Sequence, residues 1–262
     1  MRNPVFVVGA ARSGTTLLSV LLGRHSRLAM NPETGFYREL APWLPLARLV
    51  GVELLLRRWR RLPELGLTSS QLLARCGRSP QPGVLLDAIL DLHAAARRKP
   101  RCGEKTPLHL RYVPQVLRDF PEARILCIYR DGRDAALSLC AMPWGPRRLE
   151  TAAHAWLKAV RLMRESTAAY PTRFRSIRYE SLLSDPREEL AAAMQFIGLE
   201  LKESQLDAGP SAVVLERSMP WKGEALEQVN PELAGYRQAA ARTEELASLE
   251  RVLGPALREL GY

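Results

Sequence analysis

Apolar residues follow two different rhythms along this chain. Short apolar runs suited to strands occur at Val5–Val8, Ile125–Tyr129 and Phe174–Tyr179, the last with Phe174, Ile177 and Tyr179 among polar residues, and a weaker one lies near Arg101–Gly103. Runs of that length predict the buried strands of a parallel sheet. Helical spacing occupies Thr15–Gly23, Val84–Arg98, Leu108–Phe120, Asp134–Cys140 and Leu149–Tyr170. It returns at Pro186–Ile197, where Leu190, Met194 and Ile197 share one stripe and Gly198 supplies a stop signal. Glu244–Leu260 reads as an amphipathic helix. Strands alternating with helices predict an α/β fold, a parallel sheet flanked by helices.

Residues Pro32–Pro82 carry helical but no strand patterning, so they predict a helical insertion after the first βα unit. Such a place suits a segment that shapes a substrate pocket, with Phe36, Tyr37, Trp43 and Trp59 as candidate linings. Within it, Leu44–Leu56 is apolar but interrupted by Arg48 and Glu53, which predicts an amphipathic helix rather than an anchor. Ser211–Pro231 reads as a long loop, and long loops in compact domains are often functional. The 262 residues, 47% of them hydrophobic, are enough for one sizeable domain spanning 1–262.

Charge and cysteine usage narrow the function classes. The formal net charge of +10 is compatible with solvated arginine-rich helix faces or with a field that draws in an anionic ligand. No zinc-finger spacing and no alternation of basic and aromatic residues favours a nucleic-acid partner. No stretch reaches the ~18 apolar residues of a membrane span, and Val5–Val8 leads into a polar loop rather than a signal-peptide cleavage site. Four cysteines without C-x-x-C spacing point to a reducing cytoplasm and offer no metal motif. The abundance of arginine, alanine and leucine suggests a bacterial, GC-rich source.

The stretch Pro4–Leu22 carries the most chemistry. Gly9 to Thr16 has the glycine spacing of a P-loop, G-x-x-x-x-G-K-[ST], but Thr15 stands where the lysine belongs and Arg12 lies inside the loop. A strand, a glycine loop and a helix N-terminus make a cradle of N–H groups for an anion. Ser13, Thr15 and Thr16 add hydroxyl donors, and Gly14 lets a ligand approach the backbone. The plainer alternative is a strand–helix turn with polar caps. A second constellation is Arg124–Ser138, RILCIYRDGRDAALS, in which Arg130 follows an apolar strand and Ser138 lies on the next helix. The carboxyl end of a strand is where open α/β sheets bind ligands, so Arg130 and Ser138 are candidates for a second phosphate. Read alone, Arg130, Asp131, Arg133 and Asp134 also make sense as ion pairs at a helix start.

Together these stretches resemble sulfotransferases that use 3′-phosphoadenosine 5′-phosphosulfate (PAPS), in the branch of tyrosylprotein and many bacterial enzymes. Gly9–Leu18 is similar to the family's 5′-phosphosulfate loop, and Arg130–Ser138 to its 3′-phosphate motif. Glu104-Lys105-Thr106-Pro107 resembles its E/D-K-[TSD]-P segment. Arg178-Tyr179-Glu180-Ser181-Leu182 with Asp185-Pro186 resembles the segment near the adenine. The four follow in family order from Pro4 to about Gly198.

The resemblance implies a P-loop-like sheet, PAPS as co-substrate and no required metal. It implies a hydroxyl or amine acceptor on a small molecule, carbohydrate or lipid-like compound. Lys105 would stabilise the leaving oxygen, and Tyr179 would contact the adenine. Glu33, in Asn31-Pro32-Glu33-Thr34, resembles the catalytic glutamate of the tyrosylprotein branch, with His109 as the alternative base; His25 and His154 read as structural. A late loop with Arg217, Trp221 and Lys222 would close over the nucleotide. The tyrosylprotein enzymes carry an arginine two residues after their glutamate, and Gly35 stands there instead. A P-loop phosphotransferase and a non-catalytic nucleotide-binding module remain the alternatives at this point.

Overall fold

A computed structural model describes residues 3–78, 80–206 and 241–262. Its centre is a five-stranded, all-parallel sheet in the order β2-β3-β1-β4-β5. The strands are β1 Val5–Gly9, β2 Leu28–Asn31, β3 Arg101–Lys105, β4 Arg124–Tyr129 and β5 Phe174–Arg178. Alternation along β1 explains why it takes the middle. Val5 and Val7 face a layer made with Leu17, Leu18, Leu21 and Leu22 of α1 (Thr15–Gly23). Phe6 and Val8 face the larger opposite layer. A strand apolar on both sides is stable only between two helical layers.

The strand patterning predicts β1 and β4 well but not β2, whose four residues carry too short an apolar run to stand out. β2 exists because β3 offers it an edge, with Leu28 to Asn31 registered against Arg101 to Glu104. β3 itself ends on two charged residues, Glu104 and Lys105, both buried. β5 stops at Arg178, and Tyr179 opens the short helix Tyr179–Ser184 instead of closing the strand.

Short helices follow β2: α2 Phe36–Glu39, a 3-10 turn Ala41–Leu46, α3 Ala47–Val50, α4 Val52–Arg58, α5 Arg61–Glu64 and α6 Ser69–Cys76. They leave from the end of β2, so a strand stands between α1 and this segment. The expected single helix over Leu44–Leu56 is broken at Gly51, whose φ of 80 is left-handed and ends α3. α6 begins with a capping box between Thr68 and Gln71. Phe36, Tyr37 and Trp59 point into the main core rather than lining an open pocket; Phe36 meets Trp59 edge-on at 6.4 Å. Trp43 is half exposed.

α7 (Pro82–Ala96) starts two positions before its expected Val84, since Pro82 suits the first helical turn. The stretch Leu108–Phe120 divides into a 3-10 turn, Pro107–Tyr112, and α8, Val113–Asp119. Pro114 has no N–H to donate, so a continuous α-helix cannot run through it. α9 (Gly132–Cys140) and α10 (Leu149–Ala169) cover β4 and β5, with the helix Thr243–Glu259 packed on both. Pro186–Phe196 completes the layer on the α1 side.

Candidate active site

The carboxyl ends of β1, β3 and β4 bring three functional segments to one edge of the sheet. The first is the loop after β1. A Cβ at Gly9 would lie 2.3 Å from the Ile128 carbonyl oxygen, so glycine lets β1 and β4 close together there. The loop then turns through left-handed backbone at Arg12 (φ 67) and Gly14 (φ 93). Arginine rarely adopts that conformation, and residues held in it concentrate at functional sites. Gly14 caps α1 without any side-chain cap, and no acidic residue occupies the first turn. The N–H groups of that turn are therefore left without a side-chain cap at the loop. Ser13 Oγ is buried and has no hydrogen-bond partner.

The second segment follows β4. Asp131 caps α9 by accepting from the Arg133 N–H at 2.8 Å, and holds the Arg133 guanidinium at 2.7 Å. Arg130 Nη2 donates to Asp134 Oδ2 at 2.6 Å, while its carbonyl accepts from Trp156 Nε1 at 3.0 Å. The sequence allowed Arg130 to be either a ligand cation or a local ion-pair member. The ion pair with Asp134 is present, and it aims the guanidinium at the face of Tyr179, 4.6 Å from the ring centroid.

Two contacts join these segments. Arg12 Nε donates to Ser138 Oγ at 3.1 Å, tying the β1 loop to α9. The Tyr179 ring lies against Gly14 so closely that a Cβ there would come within 2.3 Å of it. Burial pushes the Tyr179 hydroxyl above its usual range, and the nearby Arg130 offsets part of that. Glu180, the next residue, accepts from the Asp131 N–H at 3.0 Å and from the Tyr262 hydroxyl at 2.7 Å.

The third segment centres on β3. Lys105 Nζ lies 3.3 Å from Glu33 Oε2; the lysine side chain is 6% exposed and the glutamate 25%. The carboxylate thus faces outward over a buried ammonium. Behind them Glu104 is fully buried and accepts four hydrogen bonds. Its donors are the Thr34 N–H (3.2 Å), Thr34 Oγ1 (2.9 Å), Thr106 Oγ1 and His109 Nδ1 (3.0 Å). Burial pushes the Glu104 carboxyl up, but His109 and the two threonines outweigh it and hold it below the ordinary range.

His109 is completely buried. Its Nε2 accepts from the Tyr37 N–H at 3.4 Å, which leaves Nδ1 as the donor to Glu104. Both ring nitrogens are therefore engaged within the protein. His25 is also buried and accepts from the Arg27 N–H, and His154 lies exposed on α10. Arg217, Trp221 and Lys222 fall outside the described residues.

One cation at this corner has no counterpart in the sequence reading. Gly35 is left-handed (φ 60), and a Cβ there would lie 2.9 Å from the Glu39 carboxylate. Buried Arg61 of α5 brings its Nε to 3.5 Å from that carboxylate and donates to Glu64 at 3.0 Å. Burial lowers the Arg61 pKa, but Glu33, Glu39 and Glu64 more than reverse it. Arg61 thus brings a cation beside Glu33 from far along the chain. No spacing rule links the two, because only the fold-back of α5 onto the residues after β2 joins them.

A profile of the sulfotransferase family matches residues 4–203. The chain belongs to the sulfotransferase family. This sulfotransferase is 24% identical over 269 residues to protein-tyrosine sulfotransferase 2 of Gallus gallus, covering 98% of this chain and 69% of that protein. It is 25% identical over 215 residues to an uncharacterized Aquifex aeolicus protein, 79% of this chain but only 27% of that longer protein. Its fold matches the sulfotransferase domain of the Synechococcus olefin synthase with a TM-score of 0.67 at 20% identity, covering 97% of this chain and 96% of that one.

Proposed function

We propose that this sulfotransferase moves a sulfonate from PAPS to a hydroxyl or amine of a small-molecule, carbohydrate or lipid-like acceptor. The observation that carries the reading is the Arg12–Ser138 hydrogen bond. It sets two anion cradles side by side at the sheet edge that also holds Lys105 and Glu33. A nucleotide with a 5′-phosphosulfate and a separate 3′-phosphate has the charge distribution two cradles suit. The orphaned Ser13 Oγ and the left-handed Gly14 that opens α1 fit the first group, and Arg130 with Ser138 the second. Thr15 and Thr16 add donors at the helix start. Tyr179, wedged between Gly14 and Arg130, supplies an aromatic wall for the adenine. Arg217, Trp221 and Lys222 remain the candidates for covering the nucleotide.

In the proposed reaction Glu33 takes the proton from the acceptor. The acceptor oxygen or nitrogen attacks sulfur in line as the bond from sulfur to the 5′-phosphate oxygen breaks. The electron pair goes to that oxygen, and Lys105 stabilises the charge developing there. The other product is adenosine 3′,5′-bisphosphate. Full burial of His109, with both nitrogens occupied, supports a positioning role: it fixes Glu104, and Glu104 fixes the Thr34 backbone beside Glu33. The chemistry asks nothing of a metal ion. We read residues 32–82 as the part of a single domain that shapes the acceptor pocket, and the cytoplasm as the setting.

Calorimetry on the full chain tests the donor. Adenosine 3′,5′-bisphosphate should bind without added metal and more tightly than ATP–Mg²⁺. A preference for ATP–Mg²⁺ would replace this reading with a phosphotransferase, and bisphosphate binding without sulfonate transfer would reduce it to a binding module.

A further inference from the structure

Exposed apolar side chains are unevenly distributed over this protein. Among the described residues seven large hydrophobics stand exposed, and five of them lie between residues 43 and 54: Trp43, Leu46, Leu49, Val50 and Leu54. Leu49 is 83% exposed. Leu44, Val52 and Leu56 of the same stretch are buried in the core. The segment is thus apolar on its inner and its outer side. A cluster of large exposed apolar side chains marks a contact surface, so the outer side calls for a partner.

Charge selects that partner. Between residues 38 and 61 the sequence holds six arginines against two glutamates. Both glutamates are held by arginines, Glu39 by Arg60 and Arg61 and Glu53 by Arg57. Arg38, Arg57, Arg58 and Arg60 are exposed around the apolar ridge. A second copy of the chain would bring two like-charged ridges together. An anionic lipid surface satisfies both features, because leucine and tryptophan enter the interface while arginines meet the headgroups. No described helix is long and apolar enough to cross a membrane, so the contact is peripheral.

We propose that the ridge Trp43–Leu54, with Arg57 and Arg58, docks this protein on anionic phospholipid surfaces. The proposal rests on this surface alone and stands whatever the donor or acceptor of the reaction proves to be. Flotation of the full chain with phosphatidylcholine vesicles, with and without phosphatidylglycerol, tests it without any turnover. The protein should partition about tenfold more strongly to the anionic vesicles, and about 0.5 M salt should remove most of that excess. Leu46→Ser with Leu49→Ser should lose about tenfold of the binding, as should Arg57→Ser with Arg58→Ser. All four positions are exposed, so thermal unfolding should stay near that of the parent protein. Absence of vesicle binding would overturn the proposal and leave an acidic protein surface as the occupant. Unchanged binding by the leucine pair would also overturn it. So would concentration-dependent dimers that the leucine substitutions dissolve.

Discussion

The proposed nucleotide cradle and the proposed catalytic corner share one sheet edge but are built on different plans. The cradle draws on two continuous stretches, Gly9–Thr16 and Arg130–Ser138, joined by a hydrogen bond and one aromatic ring. The corner gathers residues from the end of β2, from α5, from β3 and from the turn after β3, around the buried carboxylate of Glu104. Backbone N–H groups hold an anion with little side-chain help, so a cradle can be local. Chemistry on an acceptor needs a base, a cation and their supports at fixed angles, and here that takes a network of distant residues.

On the proposed function, binding belongs to one region and rate to the other. The largest effect should come from Glu33→Gln or Lys105→Ala. Each should lower single-turnover sulfonate transfer about 10²–10⁴-fold while bisphosphate affinity by calorimetry changes only a few-fold. Parallel losses of affinity would erase the division of labour. If Glu33→Gln keeps near-normal rates, the base must be sought elsewhere, starting with His109.

Next in size is Glu104→Gln. It removes the charge at the hub and should cost about 2–4 kcal/mol in urea unfolding, a loss the cradle should not share. The pH dependence follows from the depressed carboxyl of Glu104. Its stabilisation is fully present above the unfolded carboxylate pKa and is lost as pH falls through the folded one. The acid limb of the parent protein should therefore be steeper than that of Glu104→Gln.

Arg130→Ala should weaken bisphosphate binding about 10–100-fold with the rate at saturation nearly unchanged. Unaltered affinity would remove Arg130 from the 3′-phosphate site and leave it a structural role beside Asp134 and Tyr179.

The smallest expected effect involves His93 of α7. Its Nε2 donates to the Met30 carbonyl of β2, and burial with neighbouring Arg97 pushes its pKa from 6.5 down to about 4. The folded state then binds this proton less readily than the unfolded chain. Stability should decline as pH drops from 6.5 towards 4, and His93→Gln should flatten that part of the profile. Since β2 leads directly to Glu33, hydrogen exchange should show the corner loosening before the cradle.

The same contrast explains what the sequence disclosed. β1, β4 and their loops were legible because contiguous apolar runs meet contiguous polar motifs. β2 was not, because four residues whose partner is a polar-ended strand leave no periodic trace. Glu33 and Lys105 were visible as separate motifs, yet their ion pair depends on β2 and β3 lying side by side. Arg61 was invisible, since only tertiary folding brings α5 back to Gly35. The break at Gly51 was missed because hydrophobic spacing continues across it while the backbone does not.

The Tyr179 ring, pressed against Gly14 and faced by Arg130, has a consequence for molecular selection. It touches both candidate cradles, Gly14 of one and Arg130 of the other, so protein atoms set the span between them. On the proposed function the cradle would then work as a caliper with set jaws. A nucleotide whose two anionic ends match the opening would bind without rearranging the protein, and one with all its phosphates in a row would leave a jaw unfilled. Drift at Tyr179 would alter the gauge itself, so both ends of the nucleotide would lose their fit together.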